Sequence, residues 1–141
     1  MLKISRLADY GMVLMHRLID DHSAKLSAKQ LADVTRIPLP TVSKLLKQLS
    51  DAKLVYSERG VQGGYRLLRP PETINVAEVI SAIDGEIALT DCLSQGSTCN
   101  LIEYCGLRSN WQYINNQVTS LLAGISILDM QVTMTQESLR G

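Results

Sequence analysis

The chain reads as a mainly α protein with a small β-hairpin wing: a winged helix-turn-helix followed by a long C-terminal dimerisation helix. Three observations predict this. Apolar residues recur at helical spacing through three successive segments before residue 52. The period then changes to two short apolar strands around a glycine-rich tip. Beyond residue 107 a last apolar stripe keeps a three-to-four spacing for about six turns.

The first helix spans about Ser5 to Asp21, with Ser5 as N-cap and Leu7, Tyr10, Gly11, Leu14, Met15 and Leu18 on one face. Residues Ser23 to Lys25 interrupt it. A second helix opens near Ser27, ahead of the good helix formers Ala28, Lys29, Gln30, Leu31 and Ala32. Thr35 to Pro38 make a turn with Ile37 as an apolar plug, and Pro38 and Pro40 bar continuation of the earlier helix. The third helix runs from about Pro40 to Ala52, burying Val42, Leu45, Leu46 and Leu49. Leu54–Ser57 and Tyr65–Leu68 are strands, and Gly60, Gly63 and Gly64 between them permit a tight hairpin tip. Pro70 and Pro71 end this unit, and a fourth helix follows from about Val76 to Asp84. The last stripe (Trp111, Ile114, Val118, Leu121, Leu122, Ile125, Leu128, Val132) predicts one helix from about Leu107 to Gln136. Thirty helical residues span about 45 Å, more than so small a domain can cover, so a second subunit is the expected partner.

The organisation is therefore residues 1–84 as the helix-turn-helix unit, with the wing at about 54–68. Residues 85–106 form a cysteine loop, and 107–141 a dimerisation helix and tail. An apolar share of 45% over 141 residues fits a globular protein rather than a disordered one. With no Phe and one Trp, the core must be aliphatic. No apolar run approaches the length of a membrane span, and no signal peptide follows Lys3 and Arg6, which predicts a cytoplasmic protein with no membrane partner.

Net charge is zero, but the charge is unevenly placed. From Arg36 to Arg69 seven bases face two acids; from Pro70 to Cys105 there are six acids and no Lys or Arg. Such asymmetry offers an anionic partner one face of the molecule. In a helix-turn-helix the second helix enters the major groove by its first residues, here Leu39, Pro40, Thr41, Ser43 and Lys44, with Lys47 a turn later. Arg59 and Arg66 on the wing are placed to reach phosphates or a minor groove. Against this stands the use of such corners for packing alone.

All three cysteines, Cys92, Cys99 and Cys105, lie within fourteen positions, in the segment DCLSQGSTCNLIEYC. Thiolates bind soft metals and iron–sulfur clusters, and a cluster usually takes four protein ligands. The alternatives are inert buried cysteine, structural zinc and a metal-free thiol switch. Zinc is disfavoured because no two cysteines are two to four residues apart. Few other ligands are at hand: His16 and His22 lie in or beside the first helix, and Asp9 reads on its own as an exposed helix carboxylate.

The opening LKISRLADYGMVLM, the wing GVQGGYRLLRP, the following NVAEVISAIDG and the cysteine spacing together resemble the Rrf-type winged-helix iron–sulfur transcription regulators, whose branches include IscR and NsrR. The likeness covers essentially the whole chain. At Leu7-Ala8-Asp9-Tyr10-Gly11 it is most similar to the branch regulating the SUF cluster-assembly operon. The resemblance implies a homodimer on a pseudo-palindromic duplex DNA operator, with Cys92, Cys99 and Cys105 as cluster ligands. Arg108 stands where the IscR branch carries a histidine, whereas Asp9 matches the NsrR branch's first-helix aspartate, so the resemblance implies Asp9 as fourth ligand across the dimer. The implied iron–sulfur cluster is 2Fe–2S as in the IscR branch, with 4Fe–4S as in the NsrR branch the alternative.

The expected function is thus a DNA-binding repressor of cluster-assembly genes that senses cluster status. A nitric-oxide or redox sensor using the same cysteines is the nearest alternative. From another class, a metal-binding or electron-transfer module would leave the basic band unexplained. Catalysis is not expected, since no nucleophile–base pair is present.

Overall fold

Ser5 opens the first helix as expected, its hydroxyl accepting from the Ala8 amide at 3.0 Å. The computed structural model describes residues 2–20 and 25–131. Helix α1 (Arg6–Asp20) buries Ala8, Gly11, Met12, Leu14, Met15, Leu18 and Ile19 along one face. The expected break at Ser23, and His22 beside it, lie outside the described residues.

Ser27 starts α2 (Ala28–Thr35) through a full capping box. Its hydroxyl accepts from the Gln30 amide at 3.1 Å, and the Gln30 side chain accepts from the Ser27 amide at 2.8 Å. Arg36 ends the helix in the left-handed region (φ 64°), donating to Ala32 O at 2.9 Å. The chain thereby reverses, and Ile37 plugs the corner, buried. Helix α3 (Leu39–Asp51) starts behind Pro38, which supplies no side-chain cap, and buries Val42, Leu45, Leu46 and Leu49, the four residues its stripe predicts.

Strands β1 (Val55–Glu58) and β2 (Gly64–Leu67) pair antiparallel, Val55 opposite Leu67 and Glu58 opposite Gly64, each shifted by one residue from its expected bounds. A third rung, absent from the sequence reading, comes from Leu26. Its amide and carbonyl exchange hydrogen bonds with Tyr65 at 3.2 and 2.8 Å. Gly64 makes this approach possible, since a Cβ there would lie 3.0 Å from the Leu26 carbonyl.

Asn75 begins α4 (Val76–Asp84) with a second capping box, its carboxamide oxygen accepting from Glu78 N at 2.9 Å while Glu78 accepts from Asn75 N at 3.0 Å. The cysteine loop follows, with a single 3-10 turn at Asp91–Leu93, and leads to α5 (Arg108–Ala123).

Here the structure departs from the expected continuous helix to Gln136. Helix α5 ends at Ala123, and the chain turns through Gly124 and Ile125. Ser126 then caps a new helical start, its hydroxyl accepting from Asp129 N at 3.0 Å. The turn is held by main-chain bonds to the root of α4: Val76 N to Ile125 O and Ile127 N to Ile74 O, both 2.9 Å. Ile127 thus enters the core with no exposed surface. Val132 and Gln136 lie outside the described residues.

The core is aliphatic, as the composition requires. Leu14, Met15, Leu31, Leu45, Leu46, Leu49, Leu54, Ile74, Val79 and Ile127 are fully buried in one cluster drawn from α1 to α4, their connections and the segment after α5. Among the described residues no helix is long and apolar enough to cross a membrane.

Candidate functional site

Burying the Val42–Leu49 stripe turns the other side of α3 outward. Leu39, Pro40, Ser43, Lys44 and Lys47 are exposed there, and Thr41 is half-buried. Among the described residues Lys44 has no ionic partner. Lys47 is 3.4 Å from Asp51 one turn on, with both side chains mostly solvated, so the pair holds it weakly.

On the wing, Arg59 is exposed and unpaired among the described residues. Arg66 is engaged instead. Its guanidinium lies 4.8 Å from the Tyr56 ring centroid and 3.7 Å from a Glu58 oxygen. Glu58 also accepts from Lys25 and, at 3.3 Å, from the Tyr56 hydroxyl. Arg66 and Glu58 are both exposed, so Arg66 can leave this pairing for a phosphate at small cost. Lys25 was missed by the sequence reading: it precedes α2, and only the Leu26–Tyr65 bridge brings it to the wing root.

Arg69, counted with the basic band, is not part of that surface. Its guanidinium donates to both Glu78 oxygens at 2.9 and 3.0 Å and to Thr73 O at 2.5 Å, clamping the wing's exit to the start of α4. The hydrogen bond from Arg69 holds the Glu78 carboxyl below its ordinary value, and the Asn75 amide adds to this against partial desolvation.

Cys92, Cys99 and Cys105 are all free thiols and all half-buried. Cys92 sits in the 3-10 turn, its sulfur 3.1 Å from the Thr90 hydroxyl. Among the described residues no three His, Cys, Asp or Glu side chains converge on a point that would hold an ion. The donor chemistry suits a soft metal or cluster, but the set is not assembled within one chain. Asp9 is exposed on α1, at the rim of an apolar cleft of about 360 Å³ lined by Ile4, Met12, Ile80, Leu122, Ile125 and Met130. His16 is half-buried, its Nε2 without a partner among the described residues, and burial lowers its pKa against an opposing pull from Asp20.

Residues 4–133 match the Rrf2 family model, described as an iron-dependent transcriptional regulator. The chain belongs to the Rrf2 family of transcriptional regulators. This Rrf2 chain is 31% identical over 109 residues to the HTH-type transcriptional regulator NsrR of Shouchella clausii, covering 76% of this chain and 73% of that one. Among solved structures, its fold is similar to that of CymR, the global cysteine regulator of B. subtilis, with a TM-score of 0.71, 27% identity and coverage of 92% and 96%. It is equally similar to T. potens IscR, with a TM-score of 0.72, 27% identity and coverage of 94% and 88%. The winged-helix architecture expected from the sequence is thus the Rrf2 architecture. The relatives are named as regulators, not enzymes.

Proposed function

We propose that this Rrf2 regulator is a homodimeric repressor of SUF-type iron–sulfur cluster-assembly genes, reading cluster supply through a cluster bound at the cysteine loop. Three free, half-buried thiols within one fourteen-residue loop carry this reading. Cys92, Cys99 and Cys105 are the ligands, with Asp9 of the partner subunit as the fourth. The exposed position of Asp9 suits a role between subunits. Exposed Trp111, Tyr113, Ile114 and Leu121 on α5 supply apolar surface for the dimer. The DNA-facing residues are Leu39, Pro40, Thr41, Ser43, Lys44 and Lys47 on α3, with Arg59 and Arg66 on the wing.

When bound, the cluster supplies redox-sensitive cross-linking chemistry. The chain's own residues do the rest. Gathering the thiols orders the loop and ties it to α1 across the dimer, which alters the separation of the two α3 helices. A dimer reading two half-sites is sensitive to that separation. The signal is then a local event that biases a two-state dimer.

Anaerobic purification followed by visible spectroscopy and iron and sulfide counting tests the reading. A brown protein with near-equal iron and sulfide per chain, colourless as Cys99→Ala, is expected, and the stoichiometry separates 2Fe–2S from 4Fe–4S. A colourless protein that resists anaerobic reconstitution rejects the cluster. That result would favour a thiol-based redox regulator, a second reading that uses the same three free, half-buried thiols.

A further inference from the structure

Asn115, in the middle of α5, is the buried polar side chain among the described residues. Its two functions are both satisfied by one short segment: Nδ2 donates to Ile87 O at 2.9 Å, and Oδ1 accepts from Leu89 N at 2.9 Å. A carboxamide buried without partners would be strongly unfavourable, so the pair of bonds fixes the register of this segment against α5. The ordering continues from there. The Thr90 carbonyl accepts from Leu93 N at 3.1 Å, the Asp91 carbonyl accepts from Ser94 N at 3.1 Å, and the Thr90 hydroxyl lies 3.1 Å from the Cys92 sulfur.

Among the described residues the other two thiols have no such anchor. The Cys99 amide donates to Ser97 Oγ at 3.2 Å and its carbonyl accepts from Ile102 N at 3.4 Å, both local to the loop. Cys105 lies just past the turn in which Tyr104 N donates to Leu101 O at 3.0 Å. Around them Leu101 and Tyr104 are exposed.

We propose that Asn115 is the positioning residue for Cys92. It pins the stem Ile87–Thr90 to α5, so that Cys92 is preset while Cys99 and Cys105 must move to it. Loop closure therefore begins at Cys92, and any shift of α5 is passed directly to that sulfur. The role rests on the reading of Cys92 as a ligand or sensor thiol, but the placement itself is set by the chain's own hydrogen bonds.

The test uses the full-length, metal-free protein, alkylated with iodoacetamide at fixed pH and followed by site-resolved mass spectrometry. In the wild type Cys92 reacts slowest of the three. In Asn115→Asp, which keeps the acceptor for Leu89 N but sets a carboxylate oxygen against Ile87 O, the Cys92 rate rises at least about fivefold, the factor matching one lost hydrogen bond. Cys99 and Cys105 keep their rates, and helical circular dichroism is unchanged. Thr90→Val, which leaves α5 untouched, also accelerates Cys92 alone. Equal acceleration of all three thiols, or none, overturns the proposal. In parallel, anaerobically reconstituted wild type and Asn115→Asp are challenged with a chelator, and faster bleaching of the variant is expected. A wild type that never colours would reject the cluster reading, while the alkylation rates would still decide the role of Asn115.

Discussion

A Cβ on Gly11 would lie 3.1 Å from Cγ1 of Ile83, so α1 and α4 meet closely, with little room for a side chain between them. The contact lies on the helix that carries Asp9. Ala in place of Gly gains about 1 kcal/mol of helix propensity, which the tight contact offsets. Gly11→Ala should therefore be close to neutral. Gly11→Val overfills the junction and should lower unfolding free energy by about 1–3 kcal/mol, as read from urea titration. A Val variant as stable as the wild type would show that α4 yields freely.

Ile127 has no exposed surface although it lies past the end of α5. Ile127→Ala should cost about 2–5 kcal/mol, the range for large-to-small changes in a core. A cost within 0.5 kcal/mol, the usual scale for surface positions, would place this segment outside the cooperative unit.

The Arg69 hydrogen bonds hold the folded pKa of Glu78 below its reference of 4.5, so between the two values the folded chain binds fewer protons than the unfolded one. The stabilisation is complete above pH 4.5 and is lost as pH falls through the folded value. Both side chains are about a third exposed, which limits its size. Glu78→Gln should melt below the wild type at pH 7, and the gap should narrow by pH 3. A constant gap would point to a cause other than ionisation.

His16 acts in a higher window with the same sign. Burial lowers its folded pKa below 6.5, so the unfolded chain takes up the proton first as pH falls. Its contribution is complete above pH 6.5 and declines below it. Replacing His16 with Leu should remove that part of the fall in melting temperature between pH 7.5 and 5.5; an unchanged profile would assign the fall to other groups.

Among the described residues Lys44 and Arg59 are the bases of α3 and the wing without an ionic partner. If each meets one phosphate, Lys44→Ala and Arg59→Ala should each flatten the plot of log affinity against log salt by about 0.9. Fluorescence anisotropy on operator duplex reads this directly. A weaker complex with an unchanged slope would mean that the residue contacts a base or a sugar instead.

Helices α1 to α4 were legible because their stripes and caps agree: Ser5, Ser27 and the four buried residues of α3 each stand where local chemistry puts them. The end of α5 was not. Leu122, Ile125 and Leu128 keep helical spacing across the break, so periodicity is blind to it. The local signals were Gly124 and the Ser126/Asp129 cap, both weak beside an unbroken apolar stripe. Arg69 was counted in the basic band without its ion pair being seen, because its partner is nine residues away and meets it only after the wing folds back. The same holds for the site: clustering of the cysteines is written in the sequence, whereas the hold of Asn115 on Ile87 and Leu89 depends on packing α5 against the loop's stem.

The bridge between Asn75 and Ser126 closes the intervening chain into a handle with a main-chain neck. α4 and α5 are its two limbs, and the cysteines lie along its bend. Lengthening a flexible bend costs only about 0.6 kcal/mol per doubling, because loop entropy grows with the logarithm of length. Such a handle can acquire, lose or respace donor residues while its neck, and the helix-turn-helix below it, stay as they are.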